Sequence, residues 1–394
     1  MSTTNSKASR SWTAIFLGVT LALLAAAVAL TVYVDPYMHY RSPKLTQFAY
    51  EPKVERSMND GMVKHLSYEA IIAGNCMVEN FKTSQVQSLF GTTAIKTPSA
   101  GAGWYEVNGL LQVAFANNDS ISLVIRALDM TCFDEEPEQL HYEVGPYPTY
   151  LYNTDLLDDV YYVLNRDVLY GNSLPMVLGA LRGDTPGLSN LDDYGAWGGY
   201  DTYGKEAAMR RSEPYTEGEQ ESMTEEQREK VLYNVRTKVT ALADRYPDTE
   251  FYYFLTPYSA AWWGDLRQEG RLEAQLEMEE LVVREILPHK NIRLFSWNTV
   301  EELTGDLNNY KDRIHYGPWV NDWMLRQMAA GSGEITPENG EVYLSRERER
   351  WETFDYNALF DQDAPAGMQA PAFFERHGYS AADSSEVFSH PGTG

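Results

Sequence analysis

Positive charge is scarce in this sequence: 32 Lys and Arg residues stand against 57 Asp and Glu, leaving a formal net charge of -25. Nucleic-acid binding needs cations to neutralise phosphates, so this balance argues against an RNA or DNA partner. It also argues against electrostatic attraction to anionic lipid, while a neutral glycan is left open. Cysteine is scarce too. Only Cys76 and Cys132 are present in 394 residues, which excludes a disulfide framework and a Cys-rich zinc site. The seven histidines are scattered, and none pairs with another at helical metal-ligand spacing. No metal and no organic cofactor is expected.

Charge is absent altogether between Arg10 and Asp35. Residues Trp12 to Val34 are almost wholly apolar and exceed the roughly 20 needed to cross a hydrocarbon core. A membrane helix is predicted over 12–34, with the bilayer as its partner. Lys7 and Arg10 precede it and Asp35 comes after it, so the positive-inside rule puts the N-terminus in the cytoplasm and the rest outside. A cleaved signal peptide is the rival, because Leu24-Ala25-Ala26-Ala27 offers small residues, yet the apolar run continues past them. The aromatic stretch Asp35-Pro36-Tyr37-Met38-His39-Tyr40 suits a membrane interface. From there to Asp60 no strong period is visible, and an extended connector is predicted within a connecting region over 35–67.

From Tyr68 onward, apolar runs and amphipathic stretches alternate. Strands are predicted at Tyr68–Gly74, Thr93–Thr97, Ile121–Leu128, Phe251–Leu255 and Ile292–Phe295, with helices at Met77–Phe90, Trp104–Ala116, Thr224–Tyr246 and Leu266–Leu287. Thr224 and Gln227 have capping-box spacing. Such alternation implies an α/β fold with a mostly parallel five-stranded sheet, a flavodoxin-like three-layer sandwich over residues 68–330. An insertion at about 131–215 is rich in Tyr, Asp, Gly and Pro. It either shapes a substrate site with rings suited to sugars or packs on itself as a cap. Residues 331–394 read as a C-terminal extension, helical in part over Gly340–Phe360 and loosely ordered from Asp361.

Ligands in such sheets bind beyond the carboxyl ends of the strands. At the end of the first strand stands Gly74-Asn75-Cys76. Cys76 is either a nucleophile at a helix N-terminus or a buried cysteine closing a core strand. After the last strand comes Asp312-Arg313-Ile314-His315, whose spacing allows the carboxylate to orient an imidazole that acts as general base. If the third strand lies beside the first, in the order 2-1-3-4-5, Cys132 falls on the loop next to Cys76. The two thiols are then either disulfide candidates in an oxidising compartment or independent.

Gly74-Asn75-Cys76-Met77-Val78-Glu79-Asn80-Phe81 resembles the first block of the SGNH (GDSL-like) hydrolases and acyltransferases, above all membrane-anchored bacterial surface proteins that read GTSMTENF there. Ser99-Ala100-Gly101-Ala102 is similar to the second block, and Asp312-Arg313-Ile314-His315 matches the DxxH of the last. The resemblance implies a catalytic triad of Cys76, His315 and Asp312, with Cys76 and Gly101 supplying oxyanion-hole N–H groups. It implies an esterase or O-acyltransferase acting on a cell-surface polysaccharide or other acylated polymer, alone or beside a membrane acyltransferase. Relatives take part in polysaccharide O-acetylation and in D-alanine transfer to teichoic acids. Two departures stand out. Asp129 occupies the region where the third block offers Asn, leaving it and Asn80 as loop supports, since a carboxylate cannot donate to an oxyanion. Cysteine replaces the family's serine. The neighbouring His315 and a helix N-terminus are expected to lower its thiol pKa from about 8.5. A working thiol enzyme, a serine enzyme weakened by substitution and a degenerate glycan or assembly-partner binder all remain open.

Overall fold

Five apolar runs of four to six residues are too short for helices and are buried along almost their whole length, as strands covered on both faces are. The computed structural model describes residues 3–42, 54–141, 147–153, 155–183, 191–197 and 201–362. In chain order the elements are α1 (Thr3–Val34), α2 (Glu55–His65), β1 (Ala70–Gly74), α3 (Thr83–Phe90), β2 (Ala94–Pro98), α4 (Trp104–Asn117) and β3 (Leu123–Leu128). Next come α5 (Val160–Val163), α6 (Leu174–Arg182), α7 (Lys205–Ala208), α8 (Glu225–Asn234), α9 (Ala241–Arg245), β4 (Glu250–Leu255), α10 (Ala260–Gln268) and α11 (Leu272–Ile286). The last are β5 (Ile292–Phe295), α12 (Glu301–Thr304), α13 (Pro318–Ala330), β6 (Glu334–Ile335) and α14 (Gly340–Thr353).

The chain is α/β with a six-stranded sheet in the order β2-β1-β3-β4-β5-β6. The first five strands are parallel, and their carboxyl ends at Gly74, Pro98, Leu128, Leu255 and Phe295 share one edge. The sixth strand corrects the expected count of five. β6 pairs antiparallel with β5 through Leu294↔Ile335 and Phe295↔Glu334, and two residues are too few to carry a periodic signal.

Residues Ser67–Gly145 and Leu191–Gly394 form one compact unit, and Met1–Leu66 with Pro146–Asn190 form another. In the sheet unit the capping box forms as its spacing predicts: Thr224 Oγ1 accepts from Gln227 N at 3.2 Å, and Gln227 Oε1 accepts from Thr224 N at 3.0 Å. The single helix predicted beyond it is α8 and α9 joined by a wider π-helical segment, Val235–Thr240. The helix predicted at Leu266–Leu287 is interrupted after Gln268 and becomes α10 and α11. Trp351 of α14 is fully buried and stacks on Trp263 of α10 at 4.8 Å, so α14 belongs to the core of this unit.

In the other unit, α1 is long and apolar enough to cross a membrane over Arg10–Val34. Helix α2 corrects the expected extended connector. Its polar residues Asn59 and Asp60 are buried, and Lys64 Nζ reaches Asp60 Oδ2 at 2.6 Å and the carbonyl of Leu151 at 3.2 Å, so hydropathy alone hides the inward face. Residues 43–53, Gly145, Pro146, Gly198 to Tyr200 and the tail from 363, all covered by the sequence expectations, lie outside the described residues.

Candidate active site

The turn that carries Cys76 begins where β1 ends. A Cβ on Gly74 would come within 2.8 Å of the Val78 side chain and 3.2 Å of Ala127 Cβ, so glycine lets the chain fold back on itself against β3. Asn75 caps the turn, its Oδ1 accepting from Met77 N at 3.1 Å. The chain then makes one 3-10 turn, Cys76–Val78, rather than the long helix expected from Met77. Lys82 is extended, and α3 begins only at Thr83, where Asp192 supplies the cap: Thr83 Oγ1 and Ser84 N donate to its Oδ1 at 2.8 and 2.9 Å. Burial raises the Asp192 carboxyl, but these donors outweigh it and hold the group below its ordinary value. Cys76 therefore lacks a helix dipole behind it. The N–H groups of Gly101 and of Cys76 itself favour the thiolate instead, each lowering the thiol.

Gly101 sits at φ +67°, a left-handed conformation that costs a residue with a Cβ about 1–2 kcal/mol. No atom lies within 4 Å of where its Cβ would be, so backbone shape, not crowding, makes glycine suitable there.

The loop Tyr310–Tyr316 brings the base to the sulfur. A bridge between Tyr310 and Tyr316 closes it, and Arg313 points away, its Nε donating to Asp265 Oδ2 at 2.6 Å. Asp312 Oδ1 accepts from the backbone N–H groups of Ile314 and His315 at 2.9 and 2.8 Å, and its Oδ2 lies 2.7 Å from His315 Nδ1. A carboxylate only accepts, so Nδ1 carries the proton and Nε2 offers its lone pair. That Nε2 is 3.0 Å from Cys76 Sγ. Burial alone would raise the Asp312 carboxyl, but the bonds from the His315 ring and the two N–H groups hold it below its usual range. Tyr316 Oη and Asn321 Nδ2 both donate to the Met77 carbonyl, at 3.2 and 2.9 Å, and so lock the base loop and α13 to the nucleophile turn.

Cys76 is half-buried, and its thiol does not behave as the sequence suggests. Burial pushes it well above its ordinary value, and the nearby carboxylates of Glu79 and Asp129 push it further; the two N–H groups offset only part of this. The direction is opposite to the expected lowering, chiefly because of burial and then because the nearby charge is negative. Cys76 and Cys132 are both free thiols.

Asp129 reaches the site through Asn75. Its Oδ2 accepts from Asn75 Nδ2, while its Oδ1 accepts from Thr131 N, Thr131 Oγ1 and Tyr258 Oη at 2.8, 2.6 and 2.6 Å. It therefore fixes the residue that caps the Cys76 turn. Asn80 reaches toward the base through Trp197. Its Oδ1 accepts from Trp197 N at 3.1 Å, and the Trp197 indole meets the His315 ring edge-on at 5.7 Å.

Asn75, Tyr258, Trp197 and Lys96 escape the sequence reading. Asn75 had a usable signal, an Asx residue just before a turn. Lys96 had none: it is fully buried on β2 and donates to the carbonyls of Glu79 and Asp192 at 2.5 and 2.9 Å, tying the segment that ends in Trp197 to the sheet. Burial pushes its ammonium down to about 7 despite the acidic neighbours. Among the described residues no cluster of three or more His, Cys, Asp or Glu is arranged to hold a metal ion. A cavity of about 500 Å³ near Ser296, Trp323 and Tyr343 includes none of the triad. Comparison of the chain with protein-family models, curated proteins and solved structures finds no match.

Proposed function

We propose that this chain is an SGNH-like acyl esterase or O-acyltransferase, working through Cys76, His315 and Asp312 on a cell-surface glycan or related acylated polymer. The observation that carries the reading is the 3.0 Å approach of His315 Nε2 to Cys76 Sγ, with Asp312 2.7 Å behind Nδ1. That relay sits at the carboxyl edge of a parallel sheet with strand order 2-1-3-4-5, consistent with a flavodoxin-like three-layer sandwich. The apolar helix over Arg10–Val34 supports anchoring in a bacterial cell membrane with the N-terminus inside, where exported polymers meet the outer domain.

In the proposed reaction His315 Nε2 takes the thiol proton as the sulfur bonds to the acyl carbon, and Asp312 steadies the imidazolium. The carbonyl oxygen gains negative charge beside the N–H groups of Cys76 and Gly101. Collapse breaks the ester C–O bond, the leaving alkoxide takes the proton back from His315, and a thioester remains on Cys76. Water or a sugar hydroxyl, deprotonated by the same imidazole, then attacks that thioester and restores the thiol. The first acceptor gives an esterase and the second a transferase, alone or beside a membrane acyltransferase. No metal or organic cofactor enters these steps.

Turnover of p-nitrophenyl acetate by the full chain tests the site. Cys76→Ala and His315→Ala should each lower it by at least about a hundredfold. Turnover that persists in both variants sinks the assignment. No turnover in the native chain or in Cys76→Ser favours the second reading, a binder of glycan or an assembly partner, for which the replacement of serine by a raised-pKa thiol is the supporting observation.

A further inference from the structure

We infer that residues 155–183 form a second membrane contact, seating exposed apolar side chains among the headgroups and upper acyl chains beside the end of α1. The inference rests on reading α1 as a membrane span. Most of that helix is bare: Trp12, Ile15, Phe16 and Leu23 are 74, 67, 59 and 66% exposed. Over its last two turns this changes, with Thr31 and Val34 fully buried. The cover comes from α5, the π-helical segment Asp167–Ser173 and α6, all of which pack on α1.

Polar bonds pin this cover at the helix exit. Tyr162 Oη donates to Asp35 Oδ1 at 2.9 Å and accepts from Tyr37 N at 3.2 Å, while Asp159 takes His39 Nε2 and Tyr40 Oη at 3.0 and 2.9 Å. The stretch Ala27–Val34 rises roughly 10 Å at 1.5 Å per residue, the depth at which interfacial helices lie. Side chains packed along it share that depth.

The far side of the cover is apolar where a solvated surface is normally polar. Leu156, Leu157, Tyr161, Tyr170 and Leu181 are 77, 86, 66, 64 and 79% exposed. From Leu174 to Leu181, α6 carries no polar side chain at all, although Leu174, Leu178 and Leu181 face outward. A short helix that is apolar all round needs either a protein core or lipid. Continuity with the apolar surface of α1 points to lipid. Charge specifies which part of the lipid: the segment holds Asp155, Asp158, Asp159 and Asp167 against Arg166 and Arg182, so acyl chains, not anionic headgroups, are the partner.

Spin labels on the full chain in lipid vesicles test this. Leu157, Leu178 and Leu181 are replaced one at a time by Cys in a Cys76→Ser background, with the signal of the background alone subtracted for buried Cys132, and Leu21→Cys reports α1 itself. Relaxation by oxygen is compared with relaxation by a water-soluble nickel chelate, an unattached water-soluble nitroxide serving as aqueous reference. The expected result is a shift from nickel-dominated to oxygen-dominated relaxation at all four positions, in vesicles with and without anionic lipid. Oxygen dominance at Leu21 with nickel dominance at the other three overturns the second contact and leaves the span intact; nickel dominance at Leu21 overturns the span. Labels at 157, 178 and 181 shielded from both reagents identify a protein cover, such as a second copy, and overturn the lipid assignment. A dependence on anionic lipid overturns it as well.

Discussion

Asp129→Asn separates two effects that this carboxylate has on the site. The substitution keeps Oδ1, and with it the bonds from Thr131 N, Thr131 Oγ1 and Tyr258 Oη. It replaces Oδ2 by an amide that faces the Asn75 amide donor for donor. One bond to a charged acceptor, about 1.5–3 kcal/mol, is lost, and a buried N–H left unpaired adds about 1–3 kcal/mol. Relief of a buried carboxylate's desolvation offsets part, for a net loss of about 2–4 kcal/mol. Denaturant titration of the detergent-solubilised full chain measures it. Reactivity moves the other way. Asp129 raises the Cys76 thiol by charge, after burial and Glu79, so its neutralisation lets the thiol fall toward its ordinary value. Iodoacetamide alkylation of Cys76 near pH 8 should accelerate about threefold to tenfold, since thiolate fraction sets the rate. Tyr258→Phe is the control. It removes one bond to Asp129, about 1.5–3 kcal/mol, but no charge, so it loosens the turn without speeding alkylation. An unchanged rate in Asp129→Asn, or an equal acceleration in Tyr258→Phe, refutes the electrostatic reasoning.

Gly101→Ala meets open space but a left-handed backbone, so it should cost about 1–2 kcal/mol and displace the N–H that faces the sulfur. Turnover of p-nitrophenyl acetate at a temperature where the variant stays folded should fall by at least about tenfold, and undiminished turnover removes Gly101 from the oxyanion role. Glu279 and Glu347 are both buried, and burial together with Glu347 raises the Glu279 carboxyl well above its ordinary value. A carboxyl raised in the fold adds stability that is complete below its unfolded value of about 4.3 and is lost as pH rises through its folded value. Melting temperature should thus decline as pH rises above about 5 in the native chain and less steeply in Glu279→Gln, which keeps an acceptor for Tyr343 Oη; parallel slopes contradict the shared-burial account.

How much of this was legible in the sequence depends on how far apart the cooperating residues lie. The strands declared themselves because apolar runs buried on both faces need no partner to be recognised, and Gly74 and Asp312-x-x-His315 because a turn and a three-residue spacing are local. The start of α3 was not legible: its cap, Asp192, lies 108 residues from Ser84. Helix α2 was hidden by its buried polar residues Asn59 and Asp60, with Lys64 bridging Asp60 to the distant Leu151 carbonyl. Trp197 beside His315 depends on Asn80 and on Lys96, neither near it in sequence. In these three cases a long-range polar contact overrides a local pattern, whereas β6 was missed because two residues carry no period.

The state of the sulfur ties these contacts to chemistry. A cysteine that works as a preformed thiolate needs positive charge or a helix N-terminus to hold the proton off. Here the long helix is absent, the close carboxylates are Glu79 and Asp129, and burial favours the neutral thiol. In the proposed reaction the proton therefore stays on sulfur until the imidazole removes it, the order of events of a serine nucleophile: base, attack and oxyanion in one step. His315 is built for that order. Its Nδ1 proton is committed to Asp312 and its Nε2 lone pair faces the sulfur at 3.0 Å. Under the proposed function, the thiol would work on a hydroxyl's terms, and Cys76→Ser should then retain turnover of p-nitrophenyl acetate where Cys76→Ala loses it.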